Sequence, residues 1–385
     1  MDLKLPYWRL SAYYFAYFAF VGAFSPYFAL YLQALKLSAT DIAVLMSLMQ
    51  VMRVLAPSLW GWLAERFGMR LPIVRASALL SLAGFSIFFI TESFAGLFVA
   101  MALMSFFWSA ALPLIESVTF AHLGVDGHRY GGIRVWGSVG FIVAVLVLGH
   151  ALDQLPVSAL LWVVALVLAG IFGCAMLVPE APVSGTQREQ VRLLDTLRRP
   201  EVRALLGACF LMAAAHGALY VFYSIYLVDH GYSKGVVGWM WTLGVLAEIA
   251  VFMSMSRLAR RWSMRTILLC SFGVAVLRFV LIGWGVGSLP VLVFAQLLHG
   301  VTFGAYHAAA IAMVNRWFPG RLQAQGQALY GSLSFGAGGM LGGLVSGYTW
   351  DALGSAWTYT LGAGFALLGA LWLHRGWPAA DEESN

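Results

Sequence analysis

Twelve apolar runs, each about 20 residues or longer, divide this chain of 385 residues, with short polar turns between them. They lie at about 8–33, 41–64, 71–92, 95–120, 131–152, 157–178, 203–228, 235–256, 266–287, 290–315, 323–348 and 355–374. A hydrocarbon core is crossed by roughly 20 apolar residues of helix, so every run is long enough to span it. Within lipid a backbone must satisfy its own hydrogen bonds, and a helix does so inside one segment. Composition agrees: 10% of residues are charged, against about 25% in a soluble domain. The first run starts almost at Met1 and is too long and aromatic for a cleaved signal, so it reads as mature structure. The expected fold class is an all-α integral membrane protein with twelve transmembrane helices.

Between the second and third runs stands a short basic turn, Gly61-Trp62-Leu63-Ala64-Glu65-Arg66-Phe67-Gly68-Met69-Arg70. A looser copy, Ser256-Arg257-Leu258-Ala259-Arg260-Arg261-Trp262-Ser263-Met264-Arg265, follows 195 positions later. At the same offset Gly22 matches Gly217, Tyr31-Leu32 matches Tyr226-Leu227 and Ser38 matches Ser233. Later, Gly137-Ser138 matches Gly331-Ser332 with the offset shortened by one. A long-period duplication of this kind describes one unit written twice. It predicts an N-terminal half at 1–178, a cytoplasmic linker at 179–202, a C-terminal half at 203–375 and a disordered tail at 376–385. The linker, with Arg188, Arg192, Arg198 and Arg199, reads as a short amphipathic helix on the cytoplasmic surface. Glycines of the eleventh run (Gly331, Gly336, Gly338, Gly339, Gly342, Gly343) read as a surface for close helix approach.

With both termini in the cytoplasm, all 23 Lys and Arg except Lys36, Lys234, Arg53 and Arg278 fall in cytoplasmic loops or the helix ends beside them. That asymmetry sets the orientation and indicates a cell (inner) membrane protein. The net charge of +6 therefore reports topology and contact with anionic lipid, with no call for nucleic acid. Cys174, Cys209 and Cys270 all sit in apolar runs without ligand spacing, so neither a disulfide framework nor a zinc site is expected. The chain has no Walker glycine-lysine loop, no zinc-type His-Glu pair and no nucleophile elbow, so neither a pump nor an enzyme is expected, and no cofactor.

Two halves of six helices, with the turn carried by Gly61, Glu65, Arg66, Gly68 and Arg70, resemble the major facilitator superfamily of secondary transporters. The resemblance covers nearly the whole chain. It implies two pseudo-symmetric halves, a central cavity lined by helices one, four, seven and ten, and a turn that latches the cytoplasmic side of the outward-facing state. The physics of such a latch is a carboxylate in a turn beside arginines and a helix N-terminus. The alternative is a topogenic loop whose arginines only hold orientation. Ser256, Arg260 and Ser263 depart from the pattern in the second copy.

An ionised side chain near the bilayer centre costs about 2.5–3.5 kcal/mol on insertion scales, which marks such residues as functional candidates. In this chain they are Arg53, Glu116, Arg134, Glu248 and Arg278. Arg53 and Glu248 occupy corresponding positions of the repeat and are each expected to face the interface between halves. Glu116 lies just before the fourth helix leaves the membrane and Arg134 just after the fifth enters, so they share a depth and can meet. Substrate contact and a structural salt bridge both fit that pair. Pro113, Glu116 and Arg134 resemble the group of the lactose and phenylpropionate permeases, where the matching Glu and Arg contact substrate. Phe141 stands where the sugar permease has Trp, which keeps an aromatic surface but loses the indole donor. The order Glu248, Arg278 and a histidine of helix ten, His299 or His307, resembles the proton-coupling set of that group. The next acid of that set is absent, since Thr302 and Ala310 stand three residues after the two histidines.

Tyr13, Tyr17, Phe20, Phe24, Tyr27 and Tyr31 recur at three- and four-residue steps on one face of the first helix. His216, Tyr220, Tyr223 and Leu227 form the matching stripe in the seventh. Such faces suit a planar or sugar-like ligand, and equally suit plain helix packing. Pro26 and Pro113 are expected kinks.

The expected function is proton-coupled symport of a small organic solute by alternating access. Phenylpropionate-like aromatic acids come first, because Arg134 and Arg278 welcome a carboxylate; sugars and nucleosides follow. The expected substrate-binding residues are Glu116, Arg134, Tyr27, Tyr223, Phe141 and Arg53, and the proton-coupling set is Glu248, Arg278, His299 and His307. Its partners are the solute, protons and lipid, and a monomer is expected. The alternative is a proton-coupled drug or metabolite efflux antiporter, against which the fifth helix lacks a Gly-Pro signature. A transport-dead receptor is a third reading, disfavoured by so many costly charges.

Overall fold

A computed structural model describes residues 5–181, 193–320 and 322–377. Twelve helices long and apolar enough to cross a membrane follow in chain order. They are α1 (Tyr7–Ala34), α2 (Ala39–Phe67), α3 (Leu71–Phe89), α4 (Phe94–Leu123), α5 (Asp126–Gln154) and α6 (Ala159–Leu177). After the middle of the chain come α7 (Pro200–Asp229), α8 (Lys234–Leu258), α9 (Met264–Gly285), α10 (Leu289–Trp317), α11 (Leu322–Leu353) and α12 (Ser355–Gly376). No strand occurs among the described residues. Residues 182–192 of the expected linker and 378–385 of the expected tail lie outside those residues; Leu193–Leu197 forms a single short helical turn. Helix α1 runs through Pro26 and α4 through Pro113.

The chain forms two compact units: Met1–Gln187 with Ser233–Trp239, and Arg188–Tyr232 with Met240–Asn385. In the first unit α1 crosses α5 at backbone distance. A Cβ on Gly22 would stand 2.5 Å from the Phe141 carbonyl oxygen, and one on Gly140 would stand 2.2 Å from that of Phe15. In the second unit α7 crosses α11 in the same manner. A Cβ on Gly338 would lie 2.4 Å from the Phe210 oxygen, and one on Gly342 would lie 2.2 Å from that of Ala214. The duplicated glycine, Gly22 and Gly217, sits at one of these crossings in each unit. Glycine here replaces side-chain packing by backbone contact, the mode by which membrane helices associate closely.

Helix ends also follow the repeat. The duplicated serine caps a helix in both units: Ser38 Oγ accepts from Asp41 N at 3.1 Å, and Ser233 Oγ from Val236 N at 3.2 Å. An arginine also staples the last helix of each unit, though from positions that the repeat does not match. Arg75 of α3 donates to the Ala175 and Val178 carbonyls at 3.1 and 3.0 Å. Arg265 of α9 donates to the carbonyls of Trp377 and His374.

Three departures from regular α-helix are invisible to hydropathy. Helix α7 breaks at His216, between Ala215 and Gly217. Helix α10 widens to π geometry over Gly300–Ala305, and α11 does so over Ser332–Gly338. Such π segments are rare and concentrate at functional sites.

Gly342→Val is expected to drive a side chain into the Ala214 backbone and destabilise the fold by about 1–3 kcal/mol. Gly364→Val, where a Cβ meets nothing within 4 Å, is the control. The midpoint of thermal unfolding in detergent should fall for the first and stay within error for the second.

Candidate functional site

The first unit holds an aromatic wall with two charges at its edge. Tyr17 stacks on Trp108 at 4.7 Å between centroids, with 9° between planes, and Tyr13 stacks on Tyr17 at 6.4 Å. Phe20 packs on Trp108 at 5.2 Å. The Tyr13 hydroxyl and the Trp108 indole nitrogen are buried without a hydrogen-bond partner. Glu116, half-buried on α4, accepts a hydrogen bond from the Tyr130 hydroxyl at 2.9 Å. Arg134, half-buried on α5, places its guanidinium carbon 3.8 Å from the centre of the Phe18 ring. Glu116 and Arg134 thus come to one end of the unit, as their depths imply, but each engages another partner. Tyr130 was not apparent from the spacing considered, although it stands four residues before Arg134 and shares its helix face.

Arg53 of α2 donates to Gln50 Oε1 at 3.1 Å. Tyr27 faces elsewhere: its hydroxyl donates to the Val145 carbonyl at 2.7 Å and lies 3.4 Å from that of Lys234. Beside it Asp153 accepts from the first two amides of α8, Lys234 N at 2.7 Å and Gly235 N at 3.0 Å. Two orphan donors of a helix start are satisfied there by one carboxylate. Phe141 lends its backbone to the Gly22 crossing.

In the second unit Arg278 is fully buried and answered by neutral groups. Its Nε donates to the Ala295 carbonyl at 3.0 Å and its Nη2 to Gln296 Oε1 at 2.8 Å. Its Nη1 donates to Thr302 Oγ1 at 3.2 Å and stands 3.5 Å from His216 Nε2. The other nitrogen of His216, Nδ1, donates to the Met212 carbonyl at 2.8 Å. A carbonyl only accepts and a guanidinium only donates, so the two contacts select the neutral Nδ1–H tautomer. Gln296, which donates onward to the Met240 carbonyl at 3.1 Å, is a partner that sequence reasoning missed.

Glu248 and His299 face each other with Oε2 to Nε2 at 3.8 Å, and the other nitrogen of His299 has no partner. From His299 a ladder of rings runs along α10: Phe303 at 5.4 Å, then His307 at 5.8 Å further on, nearly parallel. It crosses the π segment and ends where His307 Nδ1 meets the Tyr330 hydroxyl at 2.9 Å. His299 and His307 therefore belong to one face of α10, two turns apart. Tyr223, fully buried, packs edge-on to Trp241 at 6.0 Å, and its hydroxyl has no partner.

The two basic turns differ in build. The first ends α2 at Gly68, in the left-handed conformation (φ 64°), with Met69 N bonded back to the Ala64 carbonyl at 3.2 Å. A Cβ is costly at that φ, which accounts for the glycine. Arg66 lies over the Trp62 ring at 5.7 Å, and Glu65 and Arg66 are exposed. A Cβ on Gly61 would meet nothing within 4 Å. In the second copy Ser263 instead caps the start of α9, accepting from Thr266 N at 3.1 Å. Glycine and serine at one place in the repeat thus end one helix and begin another.

Twelve helices long and apolar enough to cross a membrane, with charges held inside them, describe a multi-pass membrane protein, and the similarities that follow make it a transporter of small solutes. The model of the MFS_1 like family matches residues 7–361, and the chain belongs to that family. It is 29% identical over 345 residues to the "Probable 3-phenylpropionic acid transporter" of Escherichia coli (strain K12), covering 89% of this chain and 90% of that protein. It is 29% identical over 347 residues to the "Maltose permease" of Geobacillus stearothermophilus, covering 87% and 85%. Among solved structures the nucleoside transporter NupG superimposes with a TM-score of 0.85 at 18% identity, over 98% of this chain and 100% of that one.

Arg278→Lys is expected to unfold more readily by about 2–3 kcal/mol, because an ammonium cannot reach Ala295, Gln296 and Thr302 together. Thermal unfolding of the purified variant checks it; an unchanged midpoint shows that the fork contributes nothing.

Proposed function

We propose that the chain is a proton-coupled symporter of an aromatic monocarboxylate, working by alternating access in the cell (inner) membrane with both termini in the cytoplasm. The observation that carries the reading is Arg134, a guanidinium resting on the Phe18 ring beside an aromatic wall, with Glu116 engaged by Tyr130. A guanidinium in that setting can take a carboxylate, while the buried stack of Tyr17 and Trp108 would have to part to receive a ring. The 3-phenylpropionic acid transporter, similar along most of the chain, supports the same class of solute. Glu248 is the proton carrier in this reading, with His299 as the group that senses it. Arg278, His307 and Tyr223 shape the same unit, and Arg53 and Phe141 border the first. The turn from Gly61 to Arg70 serves as the conformational latch, its register set by the Gly68 cap.

Coupling requires that solute affinity depend on the protonation state, and the dependence is reciprocal. In proteoliposomes with an inward proton gradient, the parent protein should accumulate 3-phenylpropionate. Glu248→Gln should lose accumulation by more than about tenfold yet keep solute exchange, the pattern of a lost coupling free energy above about 1.4 kcal/mol. Unchanged uphill uptake removes Glu248 from the mechanism. Proton efflux driven by solute, or stabilisation by maltose or nucleosides instead of aromatic acids, overturns the symport or the solute class respectively.

A further inference from the structure

We infer that Tyr130 sets the charge selectivity of the Arg134 site, by holding the Glu116 carboxylate off the guanidinium, and that Gly137 keeps open the space the guanidinium occupies. The inference rests on the reading of Arg134 as the anion-binding group, and it names the residues that make an anion welcome there.

Tyr130 and Arg134 stand one turn apart on the same face of α5, yet their side chains diverge. The Tyr130 hydroxyl reaches Glu116 Oε1 at 2.9 Å. Its ring is positioned from two other helices, stacked on Phe120 of α4 at 4.6 Å and set edge-on to Tyr14 of α1 at 6.4 Å. Tyr14 is itself tied to Thr119 Oγ1 at 3.2 Å, and Thr119 to the Ile115 carbonyl at 2.7 Å. The phenol is therefore placed by packing as well as by its bond to Glu116.

Arg134 turns the opposite way, toward the next turn of α5. A Cβ on Gly137 would lie 2.7 Å from Arg134 Nη1 and 2.7 Å from Phe18 Cδ2. Any side chain at 137 would displace the guanidinium and the ring on which it rests. Tyr130, one helical turn before Arg134, bonds Glu116, which brings that carboxylate to the turn of α5 next to the guanidinium. Without the phenol, Glu116 loses its donor, and the guanidinium is the strongest donor at hand. Once paired with Glu116, Arg134 has little charge left for a solute carboxylate. With Tyr130 in place, the aromatic wall meets a cation whose counter-charge is occupied elsewhere.

Two readouts test this, and the first needs no solute. Purified protein is treated with phenylglyoxal, and modification of Arg134 is followed by mass spectrometry of its peptide. Arg134 should react in the parent, and about tenfold more slowly in Tyr130→Phe, the size of one charge-assisted hydrogen bond. Adding Glu116→Gln to Tyr130→Phe should restore the rate. Gly137→Ala, which leaves the phenol in place, should slow it by pushing the guanidinium toward Glu116. The second readout is calorimetric binding of 3-phenylpropionate and of its neutral amide. Tyr130→Phe should weaken the acid about tenfold and the amide less than about twofold, since only the acid needs a free cation. An Arg134 that resists the reagent in the parent, or reacts equally fast in Tyr130→Phe, overturns the inference. A parent that binds neither probe overturns the proposed solute class, while the labelling still decides the role of Tyr130.

Discussion

Every charge placed inside a membrane span must be answered from within the protein, because lipid offers no partner. This chain answers its charges in three ways. Arg278 is held by four uncharged acceptors: a main-chain carbonyl, an amide oxygen, a hydroxyl and an imidazole nitrogen. Arg134 rests on a ring, which attracts a cation without neutralising it. Glu248 faces a group that can itself gain or lose a proton. Cost is similar in kind for all three, but freedom is not. An arginine held on four sides organises its helices, whereas Arg134, lying on a ring, keeps its charge unneutralised.

The duplicated architecture carries the features that every such unit needs. Serine caps and glycine-mediated crossings recur in both units, while the arginine that staples the last helix comes from different positions of the repeat, 75 and 265. What differs is the lining. The first unit presents stacked Tyr13, Tyr17 and Trp108, and the second presents His216, His299, Glu248 and Arg278 joined by polar contacts. Duplication therefore accounts for the frame, and divergence within it accounts for the division between a flat aromatic surface and a titratable cluster. The basic turns show the same history at small scale, since Gly68 and Ser263 keep one position while serving opposite helix ends.

The twelve helices and the repeat are legible in the sequence because both rest on signals that survive without tertiary context: run length, hydropathy and a fixed offset. Gly338 and Gly342 of α11 are legible for the same reason, as small residues at helical spacing, whereas a Cβ on Gly331, expected on the same surface, would meet nothing within 4 Å. The site is less so. Spacing placed Glu116 and Arg134 at one depth, but it does not encode rotamer direction, so the intervention of Tyr130 and the turn of Arg134 toward Gly137 were hidden. Tyr27 shared a stripe with Tyr13 and Tyr17, yet its hydroxyl went to the Val145 carbonyl, because a phenol in an apolar span seeks the nearest acceptor. The π segments of α10 and α11 left no trace in hydropathy, since inserting one residue into a turn changes geometry without changing composition.

The separation of 3.8 Å between Glu248 and His299 is informative because of what it is not. It is too long for a neutral hydrogen bond and short enough for an attraction between opposite charges. Its strength therefore depends on where protons reside, being appreciable for carboxylate and imidazolium and slight when either is neutral. A carrier can shift between conformations only through interactions that differ in free energy between its states. The Arg278 contacts to Ala295, Gln296 and Thr302 offer no such difference, as those acceptors do not titrate. Within the proposed cycle, Glu248 facing His299 is thus a contact whose energy a single proton can change, and the stacked rings of Phe303 and His307 tie it to the part of α10 with the least regular winding.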